Sequence, residues 1–291
     1  LMIRRPPRST LDRSSAAADV YKRQVYLSFE HLTEEELRSA FGPVIDKLAD
    51  NDINLTKRPI EVAPIAHYHM GGIKVNKQME TSITGLYAAG EAVGGANGSN
   101  RLSGNALVEA FVFGERAGKF SSNYSKGRQR GWSQNSGKRY LESFNQLIAR
   151  MNDFDEENAA LGRSWEELQT LMWQNVGVLR TGKKLNNALF RIHKMQQKLE
   201  DLIPSTGQGP NFLLQDWFDL RSGLLTAEAD TLSAINRAES RGAHQREDFT
   251  ETKPTFELNQ VLGLNTDGSL YSNFVNPTYL KHKTECSDQI Q

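Results

Sequence analysis

"TGLYAAGEAVGGANGSNRLSGNALVEAFVFGERAG", Thr84 to Gly118, is the stretch around which the 291-residue chain is organised. Gly85 to Glu91 alternates small and apolar side chains like a buried strand, a glycine-rich loop runs from Gly90 to Gly104, and an apolar helix starts near Asn105. Strand, glycine loop and helix start together make an anion-binding layout. The first N–H groups of a helix have no intrahelical acceptor and carry partial positive charge, so they stabilise a phosphate or an electron-rich ring oxygen. Glu91, closing the expected strand, is placed to accept hydrogen bonds from ribose hydroxyls, and the guanidinium fork of Arg101 suits a carboxylate. A crowded turn can carry the same glycines, so the loop alone does not decide the matter.

Downstream, the helix from about Ala106 to Ser121 carries Leu107, Val108, Phe111, Val112 and Ala117. This almost continuous apolar surface is expected of a helix buried against a sheet, with its first turn held rigidly. Upstream lies "IEVAPIAHYHMGGIKVN", Ile60 to Asn76, a β-branched segment broken by Pro64 and by Gly71-Gly72. His67 and His69 would share a face in extended chain. A zinc site needs further ligands, and no third one stands at a suitable spacing, so no metal is assigned. His67 is singled out because it precedes Met70-Gly71-Gly72, where missing side chains let a ligand or another backbone approach closely.

Positive and negative side chains balance at 35 each, which argues against a nucleic-acid binder driven by bulk charge. The single Cys286 rules out an internal disulfide framework or a cysteine-ligated iron–sulfur site within this sequence. No apolar run approaches the roughly 20 residues that span a bilayer. Residues 1–24 are basic and show neither a signal-peptide core nor a sustained period; they read as an adapter-derived, non-native segment. Val25 to Phe29 reads as a short strand. Thr33 and Glu36 form a capping box ahead of a helix that Gly42-Pro43 interrupts, with a second helical piece over Val44 to Ala49.

Past a Ser-, Gly-, Lys- and Arg-rich stretch from Ser122 to Lys138, which reads as a linker, the texture becomes helical. Helices are expected over Arg139–Asp153, from a capping box at Ser164–Glu167 to about Val178, over Leu185–Leu202, and over Phe212–Arg241 with a possible break at Gly223. Trp165, Trp173 and Trp217 read as packing between these helices, and short connections make the group a bundle. "INRAESRGAHQRED", Ile235 to Asp248, mixes Arg237, Arg241, His244 and Arg246 with Glu239, Glu247 and Asp248. On composition it reads equally as a solvated charged face or as a site. Short strands are expected near Phe256–Leu264 and Leu270–Phe274.

Taken together and in this order, "IEVAPIAHYHMGGIKVN", "TGLYAAGE", "NGSNRLSGNAL" and "RAESRGAHQRED" resemble the flavoprotein subunit of succinate dehydrogenase and fumarate reductase, with L-aspartate oxidase a close relative. The resemblance covers Val25 to about Asp248. It implies an α+β fragment: the end of a substrate-capping domain over 25–60, the second part of an FAD-binding α/β domain over 61–125, a linker over 126–138, a C-terminal helical bundle over 139–248 and an irregular tail over 249–291. It further implies FAD as cofactor, with Glu91 on the ribose and the amides of Ala106 and Leu107 at the flavin pyrimidine edge. His67 and Arg101 would hold the two ends of a dicarboxylate such as succinate or fumarate, fixing its central carbons beside the flavin.

The same resemblance implies hydride exchange at flavin N5 paired with proton transfer at the neighbouring carbon, within the tricarboxylic acid cycle or anaerobic respiration. Electrons would pass to an iron–sulfur subunit, and a membrane-anchor subunit would hold the assembly at the inner face of the cytoplasmic membrane. The family's proton-donating arginine and its N-terminal dinucleotide fingerprint have no counterpart from Val25 onwards. The chain alone is therefore expected to be inactive and, with its apolar surface uncovered, prone to aggregate. Two departures stand out: the family often has "HGANR" where this sequence reads Asn97 to Arg101, and a serine at Ala106. L-aspartate oxidase remains an alternative, as does a non-enzymatic helical adaptor in which the glycine loop is only a turn.

Overall fold

The computed structural model describes residues 25–62, 67–128, 137–138, 141–142, 144–146, 157–200, 202 and 212–277. The chain divides into two compact units, Leu1–His67 and Tyr68–Gln291.

In the first unit β1 (Val25–Leu27) pairs antiparallel with β2 (Ile60–Val62), Tyr26 opposite Glu61. Helix α1 (Glu34–Ala49) opens on the capping box expected at Thr33, whose hydroxyl accepts the Glu36 N–H at 3.2 Å while Glu36 returns to the Thr33 N–H at 2.8 Å. The expected interruption at Gly42-Pro43 is present: Phe41 leaves helical geometry at φ −141°, and two helical pieces meet across this kink, because proline at position 43 cannot donate to the preceding turn. Phe29, Leu37, Ile45 and Leu55 form the small core. Pairing with β1 ties Ile60–Val62 to this unit.

The second unit contains α2 (Asn105–Lys126), α3 (Glu157–Val176), β3 (Leu179–Arg180), α4 (Gly182–Leu199), α5 (Phe212–Asn236), β4 (Gln245–Arg246), β5 (Asn259–Leu264) and β6 (Leu270–Val275). Its core lies between α3, α4 and α5, where Leu161, Leu171, Leu185, Ile192, Leu220 and Leu224 are fully buried. On α4 the expected stripe is present: Leu185, Ile192, Met195 and Leu199 are buried, Leu189 half-buried. Gly223 does not break α5. A Cβ there would stand 2.8 Å from the Trp165 ring, so the glycine lets α3 approach α5 closely. Trp217 is buried and donates its indole N–H to Leu199 O at 3.0 Å, whereas Trp173 stays half exposed.

Four expectations are corrected. The box at Ser164–Glu167 does not start a helix, because α3 has already begun at Glu157 and the Ser164 hydroxyl donates back to Ala160 O at 2.9 Å. Gly85–Glu91 is no strand: Tyr87 bridges Glu80 alone, Gly85 takes a positive φ in the connecting turn, and Gly90–Ala92 closes as a 3₁₀ turn. Helix α2 continues through Ser122–Lys126 into the expected linker and stops at Gly127. Nor does α2 bury its apolar side: Leu107 is 69% and Phe111 75% exposed. The Arg139–Asp153 helix lies for the most part outside the described residues. The two strands expected in the tail are present as β5 and β6, and they pair as an antiparallel hairpin, Leu264 opposite Leu270.

Candidate functional site

The glycine-rich loop is held on two sides. On one, the Met70-Gly71-Gly72 stretch runs beside it: the Ile73 N–H donates to Ala92 O at 2.8 Å and the Gly94 N–H to Ile73 O at 3.2 Å. A Cβ on Gly72 would lie 2.5 Å from Ala92 O, and one on Gly94 would lie 2.6 Å from Gly72 N. What approaches the paired glycines is therefore another backbone. Glu91 belongs to this contact, its Oε1 accepting the His69 N–H at 2.8 Å.

On the other side the loop meets the charged turn after α5. The Ala243 N–H donates to Ser99 O at 2.9 Å, and a Cβ on Gly242, already at φ 59°, would lie 2.4 Å from that oxygen. Here the charge run proves to be an internal network. Glu239, wholly buried, accepts from Arg237 and Arg241 Nε at 2.8 Å each and from the Lys253 N–H at 2.8 Å. Burial by itself would raise the Glu239 carboxyl, but hydrogen bonds from Arg241, Lys253 N–H and Arg237 bring it below the usual carboxylate value. The buried Arg246 forks onto Asp248 at 2.7 and 2.9 Å and reaches Ala234 O at 2.7 Å. Asp248 also accepts the Gly182 N–H that starts α4, at 2.7 Å; the Arg246 bonds, against some burial, hold its pKa at about 2. His244 is fixed in one neutral tautomer: Nδ1 accepts from Arg180 at 2.7 Å and Nε2–H donates to Arg237 O at 2.9 Å. Burial, with Arg180, Arg246 and Arg237 close by, lowers its pKa to about 4.

Between these supports stands Arg101. Its guanidinium lies 4.3 Å from the centre of the Tyr68 ring, one NH group donates to Leu102 O at 3.3 Å, and the buried Nε has no partner among the described residues. Tyr68 donates to the Glu109 carboxylate at 2.6 Å, and Asn97 donates to the other Glu109 oxygen at 2.7 Å. Tyr68 and Glu109 escaped the sequence reading. The available signal was Glu109 itself, a lone acid among Leu107, Val108, Phe111 and Val112. Where the family's frequent histidine is missing, the Asn97 amide supplies an N–H to a buried carboxylate that needs one.

The start of α2 carries no side-chain cap; its N-cap Gly104 has φ 91° and open space where a Cβ would be. The Leu107 N–H turns back to Gly104 O at 3.2 Å, so of the two expected amides Leu107's is already engaged within the first turn. His67 ends the first unit with its side chain exposed.

The family model described as FAD binding domain matches residues 7–107, taking in part of the segment set apart at the N-terminus, and that described as fumarate reductase flavoprotein C-term matches 165–286. A fumarate reductase (CoM/CoB) chain of Methanothermobacter marburgensis is 35% identical over 241 residues, covering 82% of this chain and 42% of the relative. The L-aspartate oxidase of Acinetobacter baylyi is 32% identical over 255 residues, covering 82% and 43%. The quinol fumarate reductase FrdA of E. coli superposes with a TM-score of 0.73 at 27% identity, over 87% of this chain and 44% of that one. Mycobacterium smegmatis Sdh1 gives 0.69 at 28%, over 94% and 47%.

Fold and site define part of an FAD-binding flavoprotein of mixed helix and strand. More closely, the chain belongs to the fumarate reductase and succinate dehydrogenase flavoprotein family of FAD-dependent oxidoreductases, which has L-aspartate oxidases among its relatives. The helical-adaptor alternative is thereby set aside. The chain spans about two-fifths of the length of the curated relatives it matches. The residues present fit FAD: the open Gly104 position leaves the positive end of α2 accessible, and Glu91 keeps Oε2 outside its bond to His69. Among the described residues no helix is long and apolar enough to cross a membrane.

Proposed function

We propose that this chain supplies the substrate-binding arginine and one side of the FAD site in an oxidoreductase that interconverts succinate and fumarate. The observation that carries the reading is Arg101: a cation whose buried Nε has no partner among the described residues, on a loop pinned at Ser99 and Gly94, beside a helix start without a side-chain cap. Glu91 Oε2 would take ribose hydroxyls, and of the two helix-start amides that of Ala106 would face the flavin pyrimidine edge, Leu107's being bonded to Gly104 O. Bound FAD supplies hydride exchange at its N5. Arg101 binds one substrate carboxylate through two parallel N–H donors, which sets the substrate's orientation. Electrons then leave to an iron–sulfur subunit, through which a membrane anchor holds the assembly at the inner face of the cytoplasmic membrane.

L-aspartate oxidase is a second reading, favoured by relatives of that name at 32% identity. The fumarate reductase C-terminal match, which reaches residue 286 in the tail, supports the first. Both readings are tested on the FAD-loaded protein that contains this chain. Succinate should bleach the flavin under anaerobic conditions and fumarate should restore it, with Arg101→Gln abolishing the response. Bleaching by aspartate but not succinate would transfer the assignment to the second reading.

A further inference from the structure

A guanidinium on a glycine-rich loop is useful to a carboxylate only if its plane is set in advance, since an arginine side chain has about 2 kcal/mol of rotamer entropy to lose. Around Arg101 the loop supplies little restraint: Gly95, Gly98 and Gly104 have open space where a Cβ would be, and one carbonyl, Leu102 O, accepts from the side chain. The guanidinium carbon lies instead over the Tyr68 ring, 4.3 Å from its centre. A cation held over a ring in this way keeps N–H groups turned away from it, where a carboxylate can take two of them. The Tyr68 ring is fixed in turn. Its hydroxyl donates to Glu109 at 2.6 Å, Asn97 donates to the second Glu109 oxygen at 2.7 Å and lies 3.5 Å from the hydroxyl, and Glu109 is only 6% exposed on the first turns of α2. A phenol that donates to a buried carboxylate gains electron density in its ring, which strengthens its attraction for a cation.

We propose that Tyr68, anchored through Glu109 and Asn97 to α2, is the positioning residue that orients the Arg101 guanidinium for a substrate carboxylate. The proposal rests on the carboxylate-binding reading of Arg101 given above. It also explains why the apolar first turns of α2 bury an acid, since through Glu109 and Tyr68 they then set the arginine.

The test uses the full chain labelled with ¹⁵N-arginine, with succinate as the probe and the Arg101 Nε–H resonance assigned by loss in Arg101→Lys. In the wild type this resonance should show the ring-current displacement of a stacked guanidinium. It should keep it in Tyr68→Phe and return to the position of an exposed arginine in Tyr68→Leu. Succinate affinity should fall about tenfold in Tyr68→Leu and about threefold in Tyr68→Phe. Thermal melting of the α3–α5 bundle, monitored in parallel, should stay unchanged in both, which separates positioning from loss of fold. No ring-current displacement in the wild type, or an identical resonance and affinity in Tyr68→Leu, would overturn the proposal. A displaced resonance that succinate does not perturb would leave Tyr68 as the group that orients Arg101 and would instead remove the carboxylate reading.

Discussion

Helices α2 and α5 are similar in length, 22 and 25 residues, and both carry many apolar side chains. Their fates differ. On α5, Trp217, Leu220, Leu224, Ala227 and Ala234 are buried against α3 and α4. On α2 the one buried side chain is the acid Glu109, while Leu107, Val108, Phe111 and Val112 remain exposed. Hydrophobic pattern says which side of a helix would gain from burial; a second surface must be present for the gain to be realised.

The largest test of this contrast is a matched pair of truncations. Leu224→Ala removes a side chain that is 1% exposed between α3 and α4, and should lower unfolding free energy by about 2–5 kcal/mol. Phe111→Ala, a larger loss of atoms on α2, should change it by less than about 0.5 kcal/mol. Urea unfolding followed by circular dichroism measures both. Similar losses would mean that α2 packs in solution as tightly as α5.

A smaller effect separates the two regions by pH. His244 is neutral in the fold, with its pKa lowered from 6.5 to about 4 by burial and by Arg180, Arg246 and Arg237. The unfolded chain therefore binds the proton first on acidification. Stability should be fully present above pH 6.5 and decline as the pH falls towards 4, by at most about 3 kcal/mol. Asp248 adds a further loss that begins near its ordinary value of 3.8 and is complete once the pH has fallen through about 2. Because Nδ1 faces the Arg180 guanidinium, His244→Gln should flatten the decline between pH 6.5 and 4. A slope unchanged in that variant would place the acid sensitivity elsewhere.

The turn that holds His244 also marks how far the sequence could be read. Composition left Ile235–Asp248 poised between a solvated face and a site, because the pairing of Arg246 with Asp248 looks the same in sequence whether or not Ala234 O and the start of α4 close over it. Local signals fared better. The Thr33–Glu36 box, the α4 stripe and the two tail strands are all present, since each depends on neighbours a few residues away. The Ser164 box failed because that motif is indifferent to whether the preceding residues are already helical. At the site, Arg101 and Glu91 stood out by residue type and loop position. Tyr68 did not, because its meaning comes from Glu109, 41 residues away, and from a stack that no spacing rule encodes.

The smallest effect on stability belongs to the face of α2 itself. Leu107→Ser and Phe111→Ser exchange side chains already 69% and 75% exposed, so each should leave the melting curve of the second unit within about 0.5 kcal/mol of the original. Solution behaviour should move further than stability. Contiguous exposed apolar surface promotes association, and Leu102, Leu107, Val108 and Phe111 all contribute to it. Combining both serines should therefore reduce the binding of an apolar fluorescent dye and the light scattering of concentrated protein without changing helix content. Unchanged scattering would mean that association arises from another surface. A large fall in stability would mean that these side chains are buried in solution, and the contrast between α2 and α5 would then disappear.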